Sequence, residues 1–121
     1  MKTKPVQAFI LEPRLRVRLG KEVALGPGKA ELLVRVQQSG SISEAARQMD
    51  MSYMRAWQLI RTMNACFIEP LVVTERGGRQ GGGAKLTEIG RRALRLYQEM
   101  ERNSLRSCAD SSRELQRLLQ H

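Results

Sequence analysis

The chain has 121 residues, enough for one domain with a modest core and no need of disulfide staples. Apolar residues make up 41% but aromatic ones only 4%, so the core has to come from Leu, Ile, Val, Ala and Met. A net charge of +9 suits the surface to a polyanion, with nucleic acid and an anionic membrane surface as the first competitors. The only histidine is His121, which leaves Ser-His or Cys-His catalysis and a His-based metal site without their key side chain. Acidic residues are scattered, and Cys66 and Cys108 are not at zinc spacing. No enzyme, no metal and no cofactor are expected, and each cysteine reads as a free buried thiol. No apolar run approaches the roughly 20 residues of a membrane span. Met1 to Pro5 leads into no signal-peptide core, so a cytoplasmic protein without a membrane partner is expected.

In chain order, Leu15, Val17 and Leu19 alternate with Arg14, Arg16 and Arg18, the period of a strand with one face buried. Gly20 to Glu22 reads as a turn, and Val23 to Leu25 as a short returning strand. After Gly26-Pro27-Gly28 a helix is expected over 29–39, with Leu32, Leu33 and Val36 inward and Gly40 ending it. Ser41-Ile42-Ser43-Glu44 fits a capping box, in which Ser41 caps the Glu44 amide and Glu44 reaches back to the Ser41 amide. A short helix follows, then a turn at Asp50-Met51, then a longer helix capped by Ser52 and running from Tyr53 to about Phe67. Pro70 ends helical geometry, and Leu71 to Val73 reads as a strand. The glycines between Gly77 and Gly83 predict a flexible loop, with Ala84 to Leu86 as its returning strand. Thr87 caps a last helix with a break expected between Ser107 and Ser112.

Helix, short capped helix, turn, longer helix, strand, Gly-rich loop and strand together describe a helix-turn-helix followed by a wing. The fold class expected is mainly α with a small β component, a winged helix-turn-helix with a long C-terminal dimerisation helix. Residues 1–26 form an N-terminal arm with short strands, 27–86 the DNA-binding core, and 87–121 the dimerisation helix and tail. At 100° per residue, Trp57, Ile60, Asn64 and Phe67 share one side of the long helix, and Arg55, Gln58 and Thr62 fall opposite. Those three side-chain types suit base edges in a major groove, although a merely solvated face has the same pattern. The wing supplies Arg76, Arg79 and Lys85 for phosphates. A phosphate-binding loop of the nucleotide-binding kind is excluded, because Lys85 follows Ala84 and precedes Leu86 rather than sitting between Gly and Ser or Thr. Leu94, Tyr97, Met100 and Leu105 are left over on the last helix, as the apolar positions available to pair two copies.

Residues 40–46, 51–57, Met63-Asn64, the loop from Gly77 to Ala84, Leu86-Thr87 and Gly90 together resemble the N-terminal DNA-binding domain of the ModE molybdate-responsive regulators, over about residues 14 to 100. Their helix-turn-helix is in turn similar to that of LysR-type regulators. The resemblance implies a winged helix that binds double-stranded DNA as a homodimer, with Ser52, Tyr53, Arg55 and the wing around Arg79 in contact with it. Full-length ModE-type repressors also carry C-terminal molybdate-binding domains, and the sequence stops at His121, so molybdate sensing by this chain alone is not expected. The alternatives are a nucleoid-type or RNA-binding winged helix, or a DNA-binding subunit whose partner is a separate effector-binding protein.

Overall fold

The computed structural model describes residues 7–75 and 83–120. Its elements run β1 (Val17–Leu19), β2 (Glu22–Leu25), α1 (Pro27–Ser39), α2 (Ile42–Gln48), α3 (Tyr53–Cys66), β3 (Val72–Glu75), β4 (Gly83–Leu86), α4 (Glu88–Ser107) and α5 (Ala109–Leu118). Helix α1 is the hub, in contact with α2, α3, α4, β2 and β4. It begins two residues earlier than the periodicity suggests because Pro27 occupies its first turn, where a missing N–H loses no helical bond. Gly40 ends it at φ 69°, a left-handed position that Gly adopts without a Cβ penalty. The core gathers Leu32, Leu33 and Val36 of α1 with Ile60, Met63 and Leu71, all fully buried. Burial of side chains this size contributes about 1.5–3 kcal/mol each.

Three helices start on side-chain caps. Ser41 Oγ accepts from the Glu44 amide at 3.1 Å, Ser52 Oγ from the Arg55 amide at 3.0 Å, and Thr87 Oγ1 from the Gly90 amide at 3.0 Å. Only half of the expected capping box forms. The Ser41 amide is satisfied by Ser39 Oγ at 3.2 Å, and Glu44 turns instead to Arg47 and Gln48 one turn on. The turn joining α2 to α3 closes with the Met51 amide on Ala46 O at 3.0 Å, and Asp50 takes a positive φ of 53°. A short polar side chain tolerates that conformation better than a branched one.

The two sheets are separate antiparallel hairpins, β1–β2 and β3–β4. In the second, Val72 pairs with Leu86 and Thr74 with Ala84, so Val72, Leu86 and Ala84 turn one face into the core. The first departs from its sequence pattern. All three residues of β1 are exposed, Leu19 by 59%, and only Leu15 just before the strand packs on the core. The register shifts between Val17 and Arg18, and among the described residues no second layer lies over the strand face that alternation marks as inward.

The last helix breaks at Cys108, inside the expected interval. Cys66 is half-buried and Cys108 exposed, so neither is the buried thiol that the sequence suggests. Leu94 and Tyr97 also change role. Leu94 is 4% and Tyr97 1% exposed, and both complete the core of their own protomer, with the Tyr97 hydroxyl donating to Leu15 O at 2.8 Å. A side chain sealed in its own domain offers no surface to a second copy, which removes both from a dimer face. Met100 and Leu105, further along α4, are exposed.

Candidate nucleic-acid interface

Helix α3 presents its outer face because its inner face is taken. Ala56, Ile60 and Met63 are buried, Trp57 and Phe67 pack at the margin of the core, and the side opposite is left to solvent. Arg55 and Gln58 are exposed there, as expected, together with Tyr53 at the start of the helix. Thr62 is half-buried and its hydroxyl donates back to Gln58 O at 3.0 Å, which draws it toward its own helix. Ser52 is exposed, with its hydroxyl oxygen accepting at the cap and its hydrogen left to donate. Two neighbours on this face go unmarked by residue type alone: Met54, 66% exposed, and Arg61. Both lie within the arc that helical periodicity assigns to the outside, so the period is the signal that finds them.

Asn64 fixes where the next strand begins. Its Oδ1 accepts from the Leu71 and Val72 amides at 2.8 and 3.2 Å, and its Nδ2 donates to Val72 O at 3.1 Å. One side chain therefore replaces a missing strand for three backbone groups and ties β3 to the last turn of α3. The hairpin is anchored again from β4, where the Ala84 amide donates to Gly40 O at 2.9 Å. Helix α4 locks it from below: the Leu71 carbonyl takes the Thr87 amide at 2.9 Å, and a Cβ on Gly90 would lie 2.1 Å from that oxygen. Helical period puts Asn64 on the inner side of α3, and Gly90 belongs to a motif, but neither signal names these tasks.

Lys85, the described cation of the wing, pairs with Glu75 at 2.8 Å, both partly exposed. Register explains the pair: Lys85 stands opposite Val73, so Glu75 is its diagonal neighbour on the same face. Arg76 and Arg79 lie outside the described residues. A groove of about 630 Å³ runs along α3 between Arg55, Gln58 and Thr62 on one side and Leu19 and Glu22 of the first hairpin on the other. Among the described residues no group of His, Cys, Asp and Glu is placed to hold a metal ion, and no helix is long and apolar enough to cross a membrane.

A capped two-helix unit with an exposed second helix, followed by a hairpin, is the arrangement of a winged helix-turn-helix. Residues 28–91 match the family described as bacterial regulatory helix-turn-helix protein, lysR family. The chain belongs to that family. It is 46% identical over 78 residues to the molybdenum transport protein ModE of Azotobacter vinelandii, which covers 64% of this chain and 29% of that protein. It is 39% identical over 92 residues to the DNA-binding transcriptional dual regulator ModE of Escherichia coli K12, covering 76% of this chain and 34% of the relative. The chain thus spans about a third of the length of these curated relatives. Among solved structures, the DNA-binding domain of CbnR, crystallised as a complex with DNA, superposes with a TM-score of 0.54 at 23% identity, over 73% of this chain and 94% of that one. That likeness is one of fold.

Proposed function

We propose that this domain is a sequence-specific, ModE-like DNA-binding regulator of transcription, acting on duplex DNA as a homodimer in the cytoplasm and not as an enzyme. The observation that carries the reading is the outer face of α3, where Arg55 and Gln58 stand exposed on a helix whose other side is fixed in the core. Arginine and glutamine are the residues that pair bidentately with guanine and adenine in a major groove. Ser52, Tyr53 and Thr62 border that face, and Lys85 with Arg76 and Arg79 of the wing would meet phosphates. Residues 27–86 serve as the DNA-binding core, and 87–121 as the segment that joins two copies. Met100 and Leu105, joined by Leu96, Leu115 and Leu118, are the exposed apolar positions of α4 and α5 that support pairing. Two recognition helices would then sit about one helical turn of DNA apart, roughly 34 Å. The names of the relatives support a place in the control of molybdenum genes.

In vitro selection of bound duplexes from a random library, with light scattering of the free chain, tests this reading. Enrichment of a two-fold symmetric motif and a dimeric mass are expected. Weak, uniform affinity for all duplexes would replace the regulator with a nucleoid-type protein. A chain that recovers its motif only with a co-purifying protein would make it the DNA-binding subunit of a separate effector-binding partner.

A further inference from the structure

The β1–β2 hairpin lies outside the residues that match the lysR family, yet it stands beside α3. A second groove of about 390 Å³ opens where the hairpin meets the starts of α1 and α3, and four cations line it: Arg14, Arg16, Lys29 and Arg55. No carboxylate shares that lining. Among the described residues the ion pairs belong to other side chains, so these four charges face one another without a carboxylate between them. The position of each is set by the fold. Lys29 Nζ donates to Val23 O, which holds the ammonium at the foot of the hairpin. The Arg16 stem lies against Gly26, its Cγ 3.6 Å from where a Cβ would stand. Arg55 lies in the first turn of α3 and lines both grooves. The hairpin itself is held by Leu25 in the core and by the bond from the Tyr97 hydroxyl to Leu15 O.

We infer that this hairpin, with the segment leading into it, is a second DNA-contacting element, and that Arg14 and Arg16, with Lys29, cradle a backbone phosphate beside Arg55, on the strand flanking the major groove that α3 enters. The inference rests on the DNA-binding reading above. Like charges gathered at one surface repel, and an anion seated among them adds an attraction to each that offsets the repulsion. The backbone is the anion that fits best, because Arg55 stands both beside this cradle and on the exposed face of α3. A duplex engaged by that face brings its own phosphates to the cradle, and no diffusible ion has to be recruited.

The test is the salt dependence of binding to a duplex carrying the selected site, for the full chain and for R14A/R16A and R14K/R16K. Each neutralised phosphate contributes about 0.9 to the slope of log K against log salt, so the alanine pair, which strips the cradle of one phosphate, is expected to lower the slope by about 0.9. Sequence preference should stay as it is, and the lysine pair should keep most of the slope. If the alanine pair folds normally by circular dichroism and its slope equals that of the full chain, the hairpin does not touch DNA. Should the alanine pair fold poorly, an unchanged slope in R16Q would likewise remove the hairpin from the interface. Inorganic phosphate supplies another arm: thermal stabilisation by phosphate that vanishes in R14A/R16A, with the DNA slope unchanged, would reassign the cradle to a free oxyanion. A full chain that binds no duplex at all overturns the DNA-binding reading itself, whereas binding with an unchanged slope overturns the hairpin alone.

Discussion

The two hairpins of this domain look alike in outline and are built on opposite terms. Hairpin β3–β4 is fastened from three sides: Asn64 from α3, Gly40 from the end of α1, and the Thr87–Gly90 turn of α4 against Leu71. It also buries Val72, Ala84 and Leu86. Hairpin β1–β2 leaves the whole of β1 exposed and is held by Leu25, Leu15, the Tyr97 hydroxyl on Leu15 O and the Lys29 ammonium on Val23 O. The family match includes β3–β4 and omits β1–β2. A hairpin that completes a shared core is recognisable from its fastenings, while one laid on top is free to carry whatever surface chemistry the particular chain needs.

The largest effect expected from breaking one fastening is at Gly90. A methyl there would lie 2.1 Å from the Leu71 carbonyl oxygen, a backbone atom already held by Thr87, so α4 or β3 has to move. Gly90→Ala should cost about 3 kcal/mol, at the upper end of what overpacking does. Urea unfolding measures it, and a loss below about 1 kcal/mol would show that α4 can retreat from the hairpin without penalty.

The same contrast separates what is legible in the sequence from what is not. Signals confined to one turn read well: Ser41, Ser52 and Thr87 as caps, Gly40 as a stop, and the break near Cys108. The inner face of α1 and the outward positions of Arg55 and Gln58 also follow from helical period alone. Sequence patterns mislead where a partner distant in sequence decides. Alternation over Leu15, Val17 and Leu19 marks a face, but only the tertiary fold says that Val17 and Leu19 are left exposed. Leu94 and Tyr97 carry the same apolar period whether a neighbouring copy or their own core receives them, and the receiving Leu15 carbonyl is 82 residues away. Spacing matches Glu44 to the Ser41 amide, and Ser39 takes that site first.

A second break is at Asn64. Asn64→Ala would strip partners from the Leu71 and Val72 amides and the Val72 carbonyl together. Unsatisfied buried backbone groups cost about 1–3 kcal/mol each, and partial exposure here lets water recover some of it, so a loss of about 2 kcal/mol is expected. Asn64→Asp keeps the acceptor for two amides and should lose less. If the two variants unfold at the same urea concentration, the acceptor oxygen is not what holds β3.

At the looser hairpin, Tyr97→Phe removes a single neutral hydrogen bond and should cost about 1 kcal/mol. Burial, and after it the Glu101 carboxylate, pushes the Tyr97 phenol above its ordinary value, while Arg14 pulls it down. The native state thus keeps this proton longer than the unfolded chain does. Its contribution is whole below the unfolded tyrosine value of about 10 and is lost as pH rises through the native one. Stability should therefore decline above about pH 10, and less steeply in the phenylalanine variant. Amide exchange should also quicken in β1 and β2 and leave β3 and β4 as they were; equal quickening in both hairpins would mean that Tyr97 supports the core at large.

The smallest effect belongs to the surface of the tighter hairpin. Lys85 and Glu75 are partly exposed and 2.8 Å apart, so the pair adds little to folding, and Glu75→Gln should change stability by less than about 0.5 kcal/mol. Its influence on binding has the opposite sign to that of every variant above. Glu75 offsets the positive charge that Lys85 would offer to a phosphate, and it places a negative charge of its own near the backbone. With glutamine in its place, duplex affinity should rise by about two- to five-fold, the equivalent of about 0.4–1 kcal/mol, on specific and random sequences alike. The rise should shrink as salt is added, since what has changed is a screened charge. An affinity that is unmoved at low salt would take Lys85 out of the phosphate contacts and leave that work to the rest of the cationic surface.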